Sequence, residues 1–401
     1  MLLRHELSTV MYLVFISGAL LGHVCLCVAI INRMHGTGLP RWSLKLFDAF
    51  WYLFALGVPV AVGIWALQNE VSGLRPSWDG WSSFLAGYLV VSIVAAMAAI
   101  VLRARQVWFR PTTERLISNH TTSINVTQRI GHRPTGTWLT AAFAAIPGNE
   151  ILQVDAPEKS LLLPQLDPHL DGLRLTHLSD LHFTGQLTEA FFEEMVEQAN
   201  GWPADIVAIT GDIIDKVKCL PWIERILSRL QSRHGVYYVL GNHDLRVRDE
   251  TGLRRRLEDA GCVGVGGRWV PVNVRGRTIL IAGNEYPWFR HAARLEDRPL
   301  GTSEHPQLRI GLTHTPDLLH WARRCDIDLM LAGHTHGGQV RLPVIGPVFA
   351  PSIHGTTHAS GTFFVPPTLL HVSRGISGVR PLRWNCRPEL ARLVLRSSNS
   401  G

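Results

Sequence analysis

Residues 173–183 read LRLTHLSDLHF. A short apolar run, Leu173–Leu178, stops abruptly at Ser179-Asp180-Leu181-His182. A run of this length, closed by polar residues, is the signature of a buried strand. Asp180 and His182 are two apart, so an extended chain projects both to one side. The pattern recurs. IVAIT at 206–210 runs into Gly211-Asp212-Ile213-Ile214-Asp215, and VYYVL at 236–240 runs into Gly241-Asn242-His243-Asp244. Asp180 to Asp212 is 32 residues and Asp212 to Asn242 is 30, each about one βαβ unit. The intervening segments Thr188–Asn200 and Leu220–Arg233 carry helical patterns. The first has Thr188 placed as N-cap and Phe191, Phe192, Met195, Val196 and Ala199 on one face. The prediction is an α/β domain whose parallel strands deliver Asp, His and Asn at their carboxyl ends, where open α/β sheets bind ligands.

Further runs at Ile279–Ala282, Leu308–Thr313 and Ile327–Leu331 also read as strands. Leu308–Thr313 ends in His314, and Ile327–Leu331 leads to Gly333-His334-Thr335-His336-Gly337-Gly338. The strand ends together offer two carboxylates, one Asn and five His. Mixed oxygen and nitrogen donors suit manganese, iron or zinc rather than calcium, and no Cys pair has ligand spacing for a thiolate site. Seven donors with one carboxylate shared would fill a two-metal site of the kind that clamps both ends of a phosphoryl displacement. Asp215 and Asp244 read as supporting or turn-capping groups.

Asp180-x-His182, Gly211-Asp212-x-x-Asp215, Gly241-Asn242-His243-Asp244, His314 and Gly333-His334-Thr335-His336 resemble, in order, the five motifs of the calcineurin-like metallophosphoesterases. The similarity runs from about Leu170 to Leu395 and includes Gly337-Gly338-Gln339 and Val372-Ser373-Arg374-Gly375. The last stretch and LSDLH at 178–182 resemble the bacterial membrane-associated branch, which includes UDP-2,3-diacylglucosamine diphosphatases. The resemblance implies a metallophosphoesterase β-sandwich flanked by helices. It implies that Asp180, His182 and His336 hold one divalent ion, that Asn242, His314 and His334 hold a second, and that Asp212 bridges them. His243 would stabilise charge and protonate the leaving oxygen while a metal-bridging hydroxide attacks phosphorus in line. Manganese leads as the metal, with iron and zinc as alternatives.

Upstream, the composition changes. Val10–Ile31 carries no charge except through His23, Phe50–Leu67 carries none, and Phe84–Leu102 carries none. Each is about the ~20 residues a helix needs to cross a bilayer. Trp51, Tyr52, Trp65, Trp78 and Trp81 stand near run ends, where aromatic belts form, and Pro59 should kink the second helix. Basic residues flank the runs unevenly: Arg4; then Arg33, Arg41 and Lys45; then Arg75; then Arg103, Arg105, Arg110 and Arg115. The positive-inside rule puts the N-terminus outside and everything after Leu102 in the cytoplasm. Cys219, Cys262, Cys325 and Cys386 as free thiols suit that reducing compartment. The expected organisation is a membrane domain at 1–102 with three transmembrane helices, a connector at 103–150 lying on the membrane surface or against the next domain, and a catalytic domain at 151–401. The expected location is the inner membrane, multi-pass.

The 401 residues contain 39 Lys+Arg against 32 Asp+Glu, and only Lys45, Lys159, Lys216 and Lys218 are lysines. Charged residues make up 18% and apolar ones 46%, which excludes a disordered chain. Six Cys exclude a small disulfide scaffold. The basic excess raises a phosphodiesterase of nucleotides or nucleic acid as an alternative, but no aromatic-and-basic nucleic-acid motif is present and no nucleic-acid partner is expected. A metal-free scaffold is disfavoured because every ligand position is filled. The expected partners are membrane lipids and a lipid-linked phosphate substrate. His177, His371 and His358 read mainly as structural; the Arg254-Arg255-Arg256 cluster reads as a solvated helix face, with anionic lipid head groups as the alternative, and Arg374 equally as a phosphate contact or a structural ion pair. The pocket is expected to be lined from Arg246–Trp269, Glu285–Pro306 and Arg341–Pro367.

Overall fold

The run LRLTHL forms a strand because both of its faces are covered. Leu173 and Leu175 point into one apolar layer and Leu178 into another. A computed structural model describes residues 2–71, 83–108, 114–299 and 308–398, with side chains at 14–64, 87–105, 114–299 and 308–398. Trp65, Trp78, Trp81, Arg75, Arg110 and His305 fall outside the described side chains.

Two compact units divide the chain at Arg110 and Pro111. The first contains α1 (Leu2–His35), α2 (Arg41–Val71) and α3 (Ser83–Trp108). Val14–His35, Arg41–Ile64 and Gly87–Arg105 are long and apolar enough to cross a membrane. Pro59 lies inside α2. α1 and α3 approach closely at Gly22, where a Cβ would lie 1.6 Å from Ser92 O, the close contact that small residues permit between apolar helices. His23 is buried there, bonding Tyr88 Oη through Nδ1 and meeting Phe54 O at 3.1 Å through Nε2.

The second unit begins with β1 (Leu116–Asn125), α4 (Val126–Ile130), α5 (Trp138–Ala144), β2 (Gln153–Leu162) and β3 (Leu173–Leu178). There follow α6 (Glu189–Asn200), β4 (Ile206–Thr210), β5 (Val236–Val239), α7 (Glu250–Asp259), β6 (Cys262–Gly264), β7 (Trp269–Val274) and β8 (Arg277–Asn284). The chain ends with β9 (Arg309–Thr313), α8 (Leu319–Arg324), β10 (Leu329–Ala332), β11 (Arg341–Leu342), β12 (Gly346–Pro347), β13 (Gly361–Val365), β14 (Thr368–Val372) and β15 (Ala391–Arg396).

Among the described residues, seven strands form one sheet in the order β1-β2-β15-β3-β4-β5-β6, and six form another in the order β13-β14-β10-β9-β8-β7. β3 to β6 run parallel, as do β14, β10, β9 and β8. The two sheets pack face to face. Leu175, Ile206, Ala208 and Val239 from the first meet Ile281, Ile310, Leu312 and Leu331 from the second. The alternate residues face outward. Val207, Ile209 and Tyr238 pack under α6 and α7, while Leu280, Met330 and Leu370 pack under α8. Both faces of each central strand are therefore apolar, which is why these strands read as continuous runs. The fold is the expected α/β sandwich flanked by helices.

Three expectations need correction. Residues 103–150 are not a connector: the first part belongs to α3, and from Leu116 the chain is an edge strand paired antiparallel with β2 over Leu116–Leu161 to Asn125–Gln153. β1 shows mostly exposed side chains, so it carries no apolar alternation. The expected helix Leu220–Arg233 contracts to a wide turn at Ile223–Leu227. Asn200 captures the chain beyond it, accepting from Gln231 N at 2.9 Å and donating to Arg229 O at 2.7 Å. Thr188 stands at the N-cap of α6 with its backbone extended, but its side chain makes no capping bond.

Candidate metal centre

The parallel strands β3, β4 and β5 in one sheet and β9 and β10 in the other end at a common edge. There the structure brings together all eight residues singled out in the sequence. Asp212 Oδ2 lies 3.5 Å from His182 Nε2 and 3.2 Å from His314 Nε2. On one side of Asp212, His182 Nε2 is 3.2 Å from His336 Nε2, and Asp180 Oδ1 is 3.9 and 3.5 Å from these two nitrogens. On the other side, His314 Nε2 is 3.1 Å from Asn242 Oδ1 and 3.1 Å from His334 Nδ1. Donor atoms within each of the groups Asp180-His182-His336 and Asp212-His314-His334 lie within 4.8 Å of one another.

These residues fit divalent ions. Bonds of about 2.0–2.2 Å to nitrogen and oxygen require donors about 3–3.6 Å apart, which is the spacing of every pair above except Asp180–His182 at 3.9 Å. The groups that meet are mostly acceptors when neutral. Imidazole nitrogens facing each other beside carboxylates lack protons to share, and a cation resolves the conflict. His314 holds a proton in its place: burial opposes the charge, but Asp212 and Asp180 raise it to about 9. His182 is likewise above its ordinary value, burial being outweighed mainly by Asp215. Burial also works against the carboxylates, yet the surrounding imidazoles hold Asp180 low and Asp212 well below its ordinary value. Burial keeps His334 and His336 neutral, His336 at about 3.

The backbone is strained to aim these groups. Asp180, His182, Asp212, His334 and His336 all have φ between 49° and 71°. Non-glycine residues in this left-handed region cost of order 1 kcal/mol or more each, and such residues concentrate at functional sites. Glycine permits the crowding. At Gly333 a Cβ would lie 1.7 Å from Ser179 Oγ and 2.4 Å from Asp180 Oδ2, and at Gly211 it would lie 2.6 Å from His314 Nδ1. His334 N donates to both Asp180 oxygens at 3.2 and 3.1 Å, tying the two sheets together.

Around this cluster the remaining ring nitrogens are fixed. Asp215 accepts from His182 Nδ1 at 2.7 Å and His243 Nδ1 at 2.6 Å, and also binds Arg246. Thr210 O accepts from His314 Nδ1 at 2.7 Å. Such partners orient an imidazole so that its other nitrogen faces a metal. Asp244 accepts from Gly241, Ile213 and Ile214 N and so builds the loop; burial and Asp212 raise it to about 7. His243 is lowered by burial, and its Nε2 is 3.2 Å from Arg246 Nη2.

Three contributors were not singled out as residues in the sequence, although Arg246 and Trp288 lie in stretches expected to line the pocket. Trp288 places its ring centroid 4.8 Å from His334 and 5.4 Å from His314. Arg246 backs His243, and buried Arg383 donates to His336 O at 2.9 Å with Nη2 3.2 Å from His336 Nδ1. No motif includes them: Arg246 lies in the helical turn Asp244–Val247 that follows one, and Trp288 and Arg383 lie in loops. Other side chains settle into structural roles. Arg374 pairs with Glu389 and Asp155 at 3.2 Å each. His358 packs on Phe363 and His354. Arg254 is not a solvated group, because it binds buried Glu285. All six cysteines are free.

The sequence pattern of the calcineurin-like phosphoesterase family matches residues 173–338. The uncharacterized metallophosphoesterase YkoQ of Bacillus subtilis is 30% identical over 47% of this chain and 71% of its own. UDP-2,3-diacylglucosamine pyrophosphatase LpxG of Chlamydia muridarum is 26% identical over 57% of this chain and 85% of its own. The transmembrane protein with metallophosphoesterase domain of Danio rerio is 29% identical over 62% of this chain and 58% of its own. With five motifs converging on one sheet edge and relatives matched across most of their length, this chain belongs to the calcineurin-like phosphoesterase family and is a metal-dependent hydrolase.

Proposed function

We propose that the protein is a membrane-anchored phosphoesterase that hydrolyses a phosphodiester or diphosphate bond of a lipid-linked substrate. Asp180, His182 and His336 would hold one divalent ion and Asn242, His314 and His334 a second, with Asp212 placed to serve both groups. The carrying observation is the position of Asp212 Oδ2, within 3.5 Å of an imidazole nitrogen from each group. When bound, the two ions would neutralise phosphoryl oxygens and acidify the attacking water. Manganese is the leading metal.

The chain's own groups do the rest. Asp215 fixes His243 by Nδ1, so that Nε2 faces the site beside Arg246. To protonate the leaving oxygen, His243 Nε2 must first take up a proton, which the attacking water releases, and give up its contact with Arg246, whose guanidinium is then free to balance phosphate charge. Trp288 walls the His314–His334 side. The three apolar helices anchor the chain in the inner membrane with the catalytic unit in the cytoplasm, and a UDP-linked acylated sugar is the leading substrate.

Purified full-length protein with manganese should cleave UDP-2,3-diacylglucosamine in mixed micelles to UMP and the acylated sugar phosphate. Turnover of a small chromogenic phosphodiester with none of the lipid-linked diphosphate would remove the substrate reading while leaving the hydrolase intact. His243→Ala should retain metal and lose about 10²–10⁴-fold in rate. An unchanged rate on a poor leaving group would remove the acid role.

A further inference from the structure

Residues 115–149 and 329–388 contain no Asp or Glu, yet they carry three and five arginines respectively. The fold joins parts of these two stretches into one strip. Asn149 Nδ2 donates to Pro381 O at 2.8 Å, and Arg383 N donates to Asn149 Oδ1 at 3.0 Å. Arg341 N in turn donates to Trp384 O at 2.9 Å, and Asn385 Nδ2 to Arg341 O at 3.1 Å. The strip thus runs from α5 through residues 380–387 to the β11–β12 hairpin. It borders the metal centre, because Arg341 Nε donates to Gly337 O at 2.7 Å, one residue from His336.

Its large apolar side chains face outward. Val344 is 91% exposed, Trp138 82%, Ile345 53%, Leu139 50% and Trp384 45%. Apolar surface of this kind marks an interaction site. Val344 is the sharpest case. It occupies the hairpin tip at φ 64°, a conformation that disfavours a β-branched residue and that Gly or Asn adopts more cheaply. Arg133 and Arg380 are exposed and pair with no carboxylate among the described residues.

We infer that this strip docks on an anionic bilayer, with Val344 and Ile345 entering the acyl boundary, Trp138 and Trp384 at headgroup level, and Arg380, whose carbonyl accepts from Gln339 Nε2 at 2.6 Å, on a lipid phosphate beside the metal centre. Glu150 borders the strip, but it is taken up by Arg387 Nε at 2.9 Å and Cys386 N at 3.1 Å. Aliphatic tips, interfacial tryptophans and an exposed arginine that pairs with no carboxylate among the described residues are the composition such surfaces require. A second copy fits poorly, because a self-paired strip would set arginine against arginine. The inference rests on the membrane-anchored reading above and adds to it that the catalytic unit makes its own contact with lipid.

The full chain should be reconstituted in phosphatidylglycerol–phosphatidylethanolamine vesicles and, separately, in phosphatidylcholine vesicles. Val344→Cys carries an environment-sensitive dye, with Arg255→Cys, whose side chain is 83% exposed on α7, as comparison. Five native cysteines are buried and Cys25 is half-buried, so the unmutated chain serves as the labelling blank. Brominated acyl chains should quench the dye at 344 at least twofold more than at 255 in anionic vesicles. Arg380→Glu should reduce that excess at least twofold. Equal quenching at both sites, or the same quenching in phosphatidylcholine, would overturn the inference. So would a blue-shifted dye insensitive to bromine, which means that protein covers the strip. Flotation of the chain with vesicles is scored first: flotation without excess quenching removes the docking surface alone, whereas failure to float removes the anchor and the docking together.

Discussion

Replacing Asp215 with Asn separates two tasks that its carboxylate performs at once. One oxygen accepts from His182 Nδ1 at 2.7 Å and the other from His243 Nδ1 at 2.6 Å. Asn keeps one acceptor and substitutes an NH₂ donor for the other. If the amide oxygen stays on His182, His243 Nδ1 meets a donor while its Nε2 already faces Arg246 Nη2 at 3.2 Å. A neutral ring cannot accept at one nitrogen without carrying its proton on the other, so one contact must break. If the amide turns round, His182 loses its orienting partner instead. Loss of such a support lowers metal affinity about 10–100-fold, or about 1.4–2.8 kcal/mol.

Two measurements separate the outcomes. Competition with a fluorescent chelator reports affinity for manganese, and turnover of a chromogenic phosphodiester at saturating manganese reports what remains of His243. Asp215→Asn should lower the saturated rate if the amide oxygen stays on His182, or weaken metal binding at least tenfold if it turns to His243. Asp215→Asn with unchanged affinity and unchanged saturated rate would refute the reasoning, since both imidazoles would then be held without the carboxylate.

Gly333→Ala should cost metal and activity together, because its methyl would stand 1.7 Å from Ser179 Oγ and 2.4 Å from Asp180 Oδ2. Overpacking of this kind destabilises by about 1–3 kcal/mol, and a full metal complement by elemental analysis would contradict it. His177 carries a pH-dependent share of stability. Lys159 Nζ donates to His371 Nε2, His371 to His177 Nδ1 at 3.0 Å, and His177 Nε2 to Thr210 Oγ1 at 2.8 Å, which requires both rings neutral. Burial lowers His177 from 6.5 to about 4, so its contribution is complete above about pH 6.5 and is lost as pH falls through about 4. The full effect is about 3 kcal/mol. His177→Asn should therefore lose less denaturant resistance than wild type between pH 7 and 4, both in EDTA, and parallel losses would count against it. Thiol labelling of the denatured, unreduced chain should modify six cysteines, whereas native Cys262, pushed up to about 12 by burial, should stay unlabelled; a protected pair after denaturation would contradict free thiols.

The site was readable because its residues sit at the ends of strands that are apolar on both faces. LRLTHL, IVAIT and VYYV form at the positions their composition marks, and the residues after them converge. β1 was not readable, because a mostly exposed edge strand, LISNHTTSIN, has no alternation to detect. The Leu220–Arg233 pattern misled because its apolar spacing is satisfied by burial of Ile223, Ile226 and Leu227 in a wide turn, while Asn200 supplies the backbone partners a helix would have used. Trp288 and Arg383 reach the centre from loops and Arg246 from the turn Asp244–Val247, and their placement depends on tertiary contacts that no local spacing encodes.

Metal content measured together with turnover tests the central claim most directly. Purified full-length protein reloaded with manganese should hold two ions per chain and hydrolyse a phosphodiester. Asp212→Ala, which removes the one oxygen facing both groups, should hold fewer than one ion under the same conditions and show no turnover. Wild type fully active with a single ion, or Asp212→Ala retaining two ions and full turnover, would contradict a shared dinuclear centre.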